Sequence, residues 1–455
     1  MGLLGRFRGK KAQPRVVAVS LDGTPYTLLQ RLLAEGRMPH LAALAAEGHL
    51  RQIDSVWPWV SSVAWSTFMT GRNAGKHGIF GFVDRDLATG RTFIPTSSHM
   101  QGPTLWEILS QAGKRVAVFN VPVTYPPRSV NGLLVGCFLS PKLEKATHPP
   151  ELAATLQGLG YRIDADPWLA RESKAKLLAD IEDVLERRIR TLFHFLDQER
   201  WDFFMMHVME TDRLHHFLWR EMETDDPTLA PAFYRIYRQI DEMFGRLRER
   251  LDDGVTFLSL SDHGFCGVKK EVYVNHWLTQ QGWLRLMNVP PDPKKGVLEV
   301  APDSKAYSLD PGRVFINLQG REPQGSVPAA EYEPLRQAIA AAALELRDPE
   351  SGEPMVREVL RREEVYHGPQ TERAADLILV FHDGYDPKGP LHKESLTFQG
   401  DTLVGMHTFD DAFCYLRGPQ SITQRRFSVL DLAPTVLEIL GVPAPADLDG
   451  QSILA

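Results

Sequence analysis

The 455-residue chain is 43% hydrophobic, enough for a large buried core and long enough for two or three domains. Its 51 Lys and Arg against 58 Asp and Glu give a net charge of -7, which argues against a nonspecific grip on nucleic-acid phosphates and points to small-molecule partners. Three scattered cysteines, Cys137, Cys266 and Cys414, are too few for a disulfide framework or a thiolate zinc site, and no apolar run approaches the ~18 residues that span a bilayer.

The N-terminal MGLLGRFRGKKAQPR is basic and lacks the apolar stretch of a secretory signal, so residues 1–13 read as a flexible leader and the protein as cytoplasmic. Leu3, Leu4 and Phe7 interleave with Arg6, Arg8, Lys10 and Lys11, which leaves a weak membrane-surface anchor as the alternative. Arg15–Ser20 is the first predicted strand, followed by strands at Arg115–Val121 and Gly132–Phe138 and a Pro-rich irregular stretch, Pro141–Ala170. Ser173–Leu196 is a predicted helix, with Leu177, Leu178, Ile181, Val184, Leu185, Ile189 and Leu192 at helical spacing. A strand at Asp202–Val208, a helix at Pro231–Leu251 and a strand at Val255–Ser261 come next. Met287–Gly325 reads as irregular, Ala329–Leu346 as a helix, and Asp376–Phe381 and Ala412–Leu416 as strands, with no internal repeats. Most strands are continuous apolar runs, as when helices cover both faces of a sheet. The alternation predicts a doubly wound, mostly parallel α/β sheet that binds ligands beyond the carboxyl ends of its strands.

Four short motifs hold metal-ligand residue types: Asp22 in VVAVSLDG, Asp212 and His216 in ETDRLHHFLW, Asp262 and His263 in LSLSDHG, and His407 in VGMHTF. Three carboxylates and three imidazoles suit a pair of borderline divalent cations, with zinc expected and manganese the alternative. Each also has a plainer reading. Asp22 before Gly23 suits an Asx-type turn, Asp212 and His216 suit a surface i,i+4 contact, and a lone histidine such as His407 is more often structural. Asp212 and His216 share a face only on a helix, yet the buried run before them puts the pair at a strand's end. His215 points about 100° away and is a bystander. Adjacent Asp262 and His263 both reach a metal only where the chain leaves strand geometry, a bend that Gly264 permits. His40, His49, His77, His276 and His392 have no matching carboxylates.

A nucleophile is available in WPWVSSVAWSTFMTG, where Ser61 falls at the expected start of a helix. Free N–H groups and the helix dipole favour an oxyanion there, although Ser61 or Ser62 also suits a plain N-cap. No Gly-x-Ser-x-Gly elbow is present to activate a serine through a histidine base.

Together the five motifs resemble the alkaline phosphatase superfamily and, within it, the type I phosphodiesterase and nucleotide pyrophosphatase family. The order Asp, Ser/Thr, Asp-x-x-x-His, Asp-His, His is the family's order, running from about Val16 to the C-terminal VLDLAPTVLEILGVP. The resemblance implies an alkaline-phosphatase-like catalytic domain over residues 14–455, with a helical insertion at about 141–199 and a cap insertion at about 285–372. It assigns one metal to Asp212, His216 and His407, and the other to Asp22, Asp262 and His263. Counting back from Thr70 and Gly71 makes Ser61 the nucleophile, and His77 keeps a structural role. The implied reaction is two-metal hydrolysis of a small phosphodiester, nucleotide-like or otherwise, through a phosphoserine.

Two departures bear on substrate. The family usually carries Thr where this chain has Ser61, and an Asn some twenty residues later where gapless counting reaches Phe82. Trp57, Trp59 and Phe82 read as core, with base stacking as the alternative. A phosphomonoesterase, a phosphomutase or a catalytically silent metal-binding relic is the competing function, while a sulfatase is excluded because no cysteine stands in Cys-x-Pro-x-Arg. No Arg or Lys lies between Ser55 and Gly71, so a cation for a second phosphoryl charge must come from the cap or from Lys269 and Lys270.

Overall fold

The computed structural model describes residues 14–198, 200–287, 300–422 and 426–454. The predicted leader and residues 288–299 of the expected cap lie outside these. Among the described residues no helix is long and apolar enough to cross a membrane.

The central strand is Arg15–Leu21, whose residues beyond Arg15 are all buried. It is flanked on both sides by parallel partners, Phe203–Val208 and Val255–Leu260. Val116–Phe119 and Gly132–Val135 extend the parallel sheet beyond Phe203–Val208, while Ala412–Arg417 and His49–Ile53 close the other side in antiparallel pairing. With Thr147–His148 added antiparallel to Gly132–Val135, the result is one eight-stranded, mostly parallel sheet.

Alternate residues of the central strand enter two different cores, which explains its continuous apolar run. Val17, Val19 and Leu21 pack with Leu177, Leu185, Ile236 and Ile240 from the long helices Lys174–Gln198 and Ala230–Arg250. Val16 and Ala18 pack on the opposite face with Trp65, Phe68, Leu109 and Val436 from three other helices. The sheet is therefore doubly wound, as expected from the sequence.

Three predicted elements differ. Leu377–Phe381 leaves the central sheet for a second, antiparallel one with Ala306–Leu309, Arg313–Ile316 and Val356–Arg361. Two of those strands fall inside Met287–Gly325, where short apolar runs around the turn at Asp310, Pro311 and Gly312 form a hairpin within the expected irregular stretch. The stretch Pro141–Ala170 likewise contains a helix, Leu152–Gly158, whose apolar face is too short to register as a periodic pattern.

One buried ion pair anchors the helix that carries Asp212. Glu210 opens that helix, Glu210–Glu223, and its side chain is fully buried. Arg188 Nε donates to both its carboxylate oxygens at 2.8 and 2.9 Å, while the remaining guanidinium nitrogens donate to Tyr161 Oη and the Ile163 carbonyl. Breaking such a pair from one side strands a charge. Arg188→Met is expected to lower stability by about 3–5 kcal/mol, and Arg188→Met with Glu210→Gln to recover most of that loss, as read by chemical denaturation.

Candidate active site

Three neighbouring parallel strands end at one edge of the sheet, and a carboxylate stands just past each. Asp22 follows Leu21 directly, Asp262 lies just beyond Leu260, and Asp212 sits in the first turn of the helix that leaves Val208. Register keeps the three level, since Leu21 pairs with Val208 and Ser20 with Leu260. The turn after the central strand is closed by Thr211 Oγ1 donating to the Asp22 carbonyl at 2.7 Å and by the Gly23 N–H donating to Asp262 Oδ1 at 3.1 Å. Gly23 has φ +60°, and a Cβ there would fall 2.6 Å from the Phe265 ring. Only glycine satisfies both conditions.

Asp212, His216 and His407 form a first cluster. His216 Nδ1 bonds the Gly405 carbonyl at 3.0 Å and His407 Nδ1 the Trp59 carbonyl at 3.2 Å. A carbonyl only accepts, so both protons sit on Nδ1 and both Nε2 atoms bear lone pairs. Those Nε2 atoms stand 3.0 Å apart, and 3.4 and 3.3 Å from Asp212 Oδ1. Asp212 Oδ1 is buried and receives no hydrogen bond. Three lone pairs thus converge with no proton among them, an arrangement that repels unless a cation stands between them.

Asp22, Asp262, His263 and Ser61 form a second cluster, but the ligand atoms that lie within 4.8 Å of one another there are those of Asp22, Asp212 and His263, so Asp212 faces both clusters and Asp262 stands farther from the other donors than the sequence suggested. Asp22 Oδ2 is held by Trp65 Nε1 at 2.9 Å and lies 3.1 Å from His207 Nε2, leaving Oδ1 to accept from Ser61 Oγ at 3.2 Å. His263 Nδ1 bonds the Gly264 carbonyl, so Nε2 again carries the lone pair, 3.2 Å from Ser61 Oγ and 3.3 Å from Asp262 Oδ2. Asp262 Oδ2 is a second buried oxygen without a donor. Burial and the neighbouring Asp22 push the Asp262 carboxyl well above the usual range, while burial and His407 hold the His263 imidazole down at about 3. The cluster accumulates negative charge and lone pairs without a counter-charge. Stacking of the His263 and His407 rings, with centroids 3.6 Å apart, brings the two clusters together. The donor set of both fits a divalent metal.

Ser61 is the first residue of the helix Ser61–Thr70. Val60, not a serine, occupies the N-cap, so neither hydroxyl is spent on capping. Ser62 Oγ is buried and makes no hydrogen bond.

Several side chains stand elsewhere than the sequence suggested. Gly264 does not supply the bend after Asp262, because its φ is not positive; it is needed for close approach, since a Cβ would fall 2.5 Å from Thr408 Oγ1. Trp59 and Phe82 are half-buried and line a cavity of about 260 Å3 beside His216 and His407. Trp57 stacks on Phe409 with centroids 4.4 Å apart. Lys270 pairs with Asp348 and Glu350, and Lys269 approaches Glu353, so both are engaged away from the clusters. His215 binds the Gly23 carbonyl and Tyr237 Oη, and His77 binds Thr67 Oγ1.

Four participants were not identified from the sequence. Trp65 orients Asp22 from a core helix, and His207 lies beside the same oxygen without a hydrogen bond to it. Arg213 stands 3.4 Å from Asp212 Oδ2, with Nη2 2.6 Å from Asp164, and Lys388 lines the cavity, paired with Asp386 at 2.6 Å. A basic residue directly after Asp212 was the one readable hint.

The sequence profile of the type I phosphodiesterase/nucleotide pyrophosphatase family matches residues 16–410. No curated protein shows significant similarity over the chain. Among solved structures, phosphonoacetate hydrolase from Sinorhizobium meliloti 1021 in complex with phosphonoformate is 20% identical, with a TM-score of 0.66 over 95% of this chain and 97% of that one. Murine ectonucleotide pyrophosphatase/phosphodiesterase 5, an inactive variant in complex with AMP, is 16% identical, with a TM-score of 0.58 over 97% and 100% of the two chains. The human counterpart gives 16% identity and a TM-score of 0.57 over 97% and 99%. These likenesses establish a shared fold.

The strand Gly405–Thr408 presents His407, and its first residue touches the Asp212 helix. A Cβ on Gly405 would fall 2.3 Å from the His215 carbonyl, a backbone atom that cannot swing aside. Gly405→Ala is expected to lower the melting temperature by several degrees, a shift that differential scanning fluorimetry on the metal-free protein would detect.

Proposed function

The chain belongs to the type I phosphodiesterase/nucleotide pyrophosphatase family of metal-dependent phosphoric-ester hydrolases, and within it we propose a phosphodiesterase acting on small, including nucleotide-like, phosphodiesters through a phosphoserine on Ser61. One observation carries this reading: Ser61 Oγ lies 3.2 Å from both Asp22 Oδ1 and His263 Nε2, at a helix start and beside converging ligand atoms that have no donor.

Asp212, His216 and His407 would hold one ion and Asp22, Asp262 and His263 the other, with zinc the better match to mixed carboxylate and imidazole donors. When bound, the ions supply positive charge that stabilises a serine alkoxide and the phosphoryl oxygens. Ser61 attacks phosphorus, the bond to one ester oxygen breaks, the serine proton ends on that departing oxygen as the alcohol, and phosphoserine forms. Water then attacks phosphorus, cleaving the Oγ–P bond and returning the proton to Ser61. The start of the Ser61 helix offers free N–H groups to phosphoryl oxygens in both steps. The second sheet acts as a cap, contributing Phe381 from a strand and Asp310 from a hairpin turn to the cavity beside His216.

The charges around the site favour a diester over a monoester. A monoester brings a second negative charge that requires a free cation. Arg213, beside Asp212, is shared by Asp164 and Asp212, and Lys388, in the adjoining cavity, is paired with Asp386.

Ser61→Ala is expected to abolish nearly all turnover while the purified protein keeps about two divalent ions per chain by elemental analysis, and Ser62→Ala to keep much more activity. A stoichiometry that never exceeds one, or the reverse ranking of the serines, would remove the proposed mechanism. On one metal-reloaded preparation, kcat/KM for an aryl phosphodiester is expected to exceed that for the monoester with the same leaving group. A clear monoester preference in those kinetics would move the assignment to a phosphatase or mutase.

A further inference from the structure

The lining of the cavity beside His216 and His407 is of two chemical kinds. Its apolar part includes the Trp59 and Phe82 rings, from loops flanking the Ser61 helix, and Phe381 from the second sheet. Its polar part is Asp310, Asp386 and Lys388, which stand together. At about 260 Å3 it is smaller than the ~300–1,000 Å3 sites that enclose drug-sized ligands, so it takes one ester group of a substrate and not a dinucleotide.

The polar lining holds two carboxyl groups and one ammonium. Lys388 Nζ lies 2.6 Å from Asp386 Oδ2, and Asp310 Oδ1 accepts the Gly389 N–H. Burial disfavours the Lys388 charge, but Asp386 and Asp310 override it and raise its pKa, so the ammonium persists. Burial pushes the Asp310 carboxyl up, and Arg313, whose Nε donates to the Asp310 carbonyl, works against that shift. Both carboxyl groups keep acceptor capacity, whereas the ammonium is consumed by Asp386. An incoming carboxylate would meet acceptors and no free cation in a half-enclosed space, and an incoming donor would find acceptors.

We propose that this cavity is the subsite for one ester group of the substrate, selecting an apolar-bodied group that ends in an ammonium or hydroxyl donor and rejecting one that ends in a carboxylate. The assignment rests on the phosphodiesterase reading of the adjoining clusters and adds the chemistry of the group bound there. Trp59 links the two, because its indole Nε1 donates to the His407 carbonyl at 2.9 Å while its own carbonyl accepts from His407 Nδ1. The ring that forms the cavity wall is thus tied to a cluster residue.

The test uses phenethylphosphonates carrying a para aminomethyl, hydroxymethyl or carboxylate group, titrated calorimetrically into the zinc-loaded full chain. The aminomethyl compound is expected to bind at least about fivefold more tightly than the carboxylate, with the hydroxymethyl compound between them. Lys388→Met leaves both carboxylates uncompensated and is expected to widen that ratio; Asp386→Asn removes one carboxylate and should narrow it. Equal or tighter binding of the carboxylate compound, a ratio unmoved in both variants, or no binding of any of the three would overturn the subsite. Hydrolysis of an unsubstituted aryl phosphodiester by the wild type, measured on the same preparation, reports separately on the parent reading. Turnover with a flat affinity series defeats the subsite alone, and binding selectivity without turnover defeats the parent reading alone.

Discussion

The arrangement of the catalytic edge depends on lone pairs that face one another with nothing protonated between them. His216 and His407 each commit Nδ1 to a backbone carbonyl, which fixes both tautomers and turns both Nε2 lone pairs toward Asp212 Oδ1. A buried oxygen without a donor is costly in a finished fold, and here two of them, on Asp212 and Asp262, lie in adjoining clusters. The donors nearby do not relieve this, because Trp65 Nε1, the Gly23 N–H and Arg213 are spent on other carboxylate oxygens of the clusters and the imidazoles turn lone pairs inward. A divalent cation can. The backbone carbonyls of Gly405 and Trp59 are therefore as much part of the site as the imidazoles they orient.

The sheet makes this juxtaposition inexpensive to encode. Parallel strands in one register end level, so residues placed just after them meet without any local sequence relation between them. Antiparallel neighbours would present alternate ends, and the same motifs would face opposite sides of the molecule. His407 reaches the edge by another route, on a strand that pairs with Gly264–Gly267 directly after the Asp262–His263 turn. Glycines at 264 and 405 permit that pairing and the helix contact behind it, through the absence of a side chain and not through unusual torsions.

Legibility in the sequence tracked the range of the interaction that decides each feature. Continuous apolar runs identified the central strands because burial on two faces is written into each strand alone. The candidate ligands Asp22, Asp212, Asp262 and His263 were readable because each stands close after such a run, whereas His407 entered only through its place in the order of motifs. The hairpin Ala306–Ile316 was not readable, because its four-residue strands are too short for a pattern and are stabilised by partners some sixty residues away, at Leu377 and Ile378. Lys388 was invisible for the same reason: its four-residue strand, Tyr385–Lys388, is held by pairing with the distant Lys270–Tyr273. Trp59 and Phe82 were expected in the core on hydrophobicity alone, and the structure places them on a cavity wall, a distinction that depends on what stands opposite them.

That division also says where selectivity resides. Proteins sharing this fold at 16–20% identity have been seen with phosphonoformate and with AMP, ligands of very different size and charge. Likeness at this level shows the fold and leaves the bound group open. In this chain the edge is supplied by short motifs after parallel strands, whereas the polar part of the adjacent cavity comes from Asp310, Asp386 and Lys388, outside those motifs. Substitutions there change net charge at the subsite without touching the residues that face the phosphoryl position. On the proposed assignment, chemistry and recognition are carried by different segments, which lets the second vary while the first stays fixed.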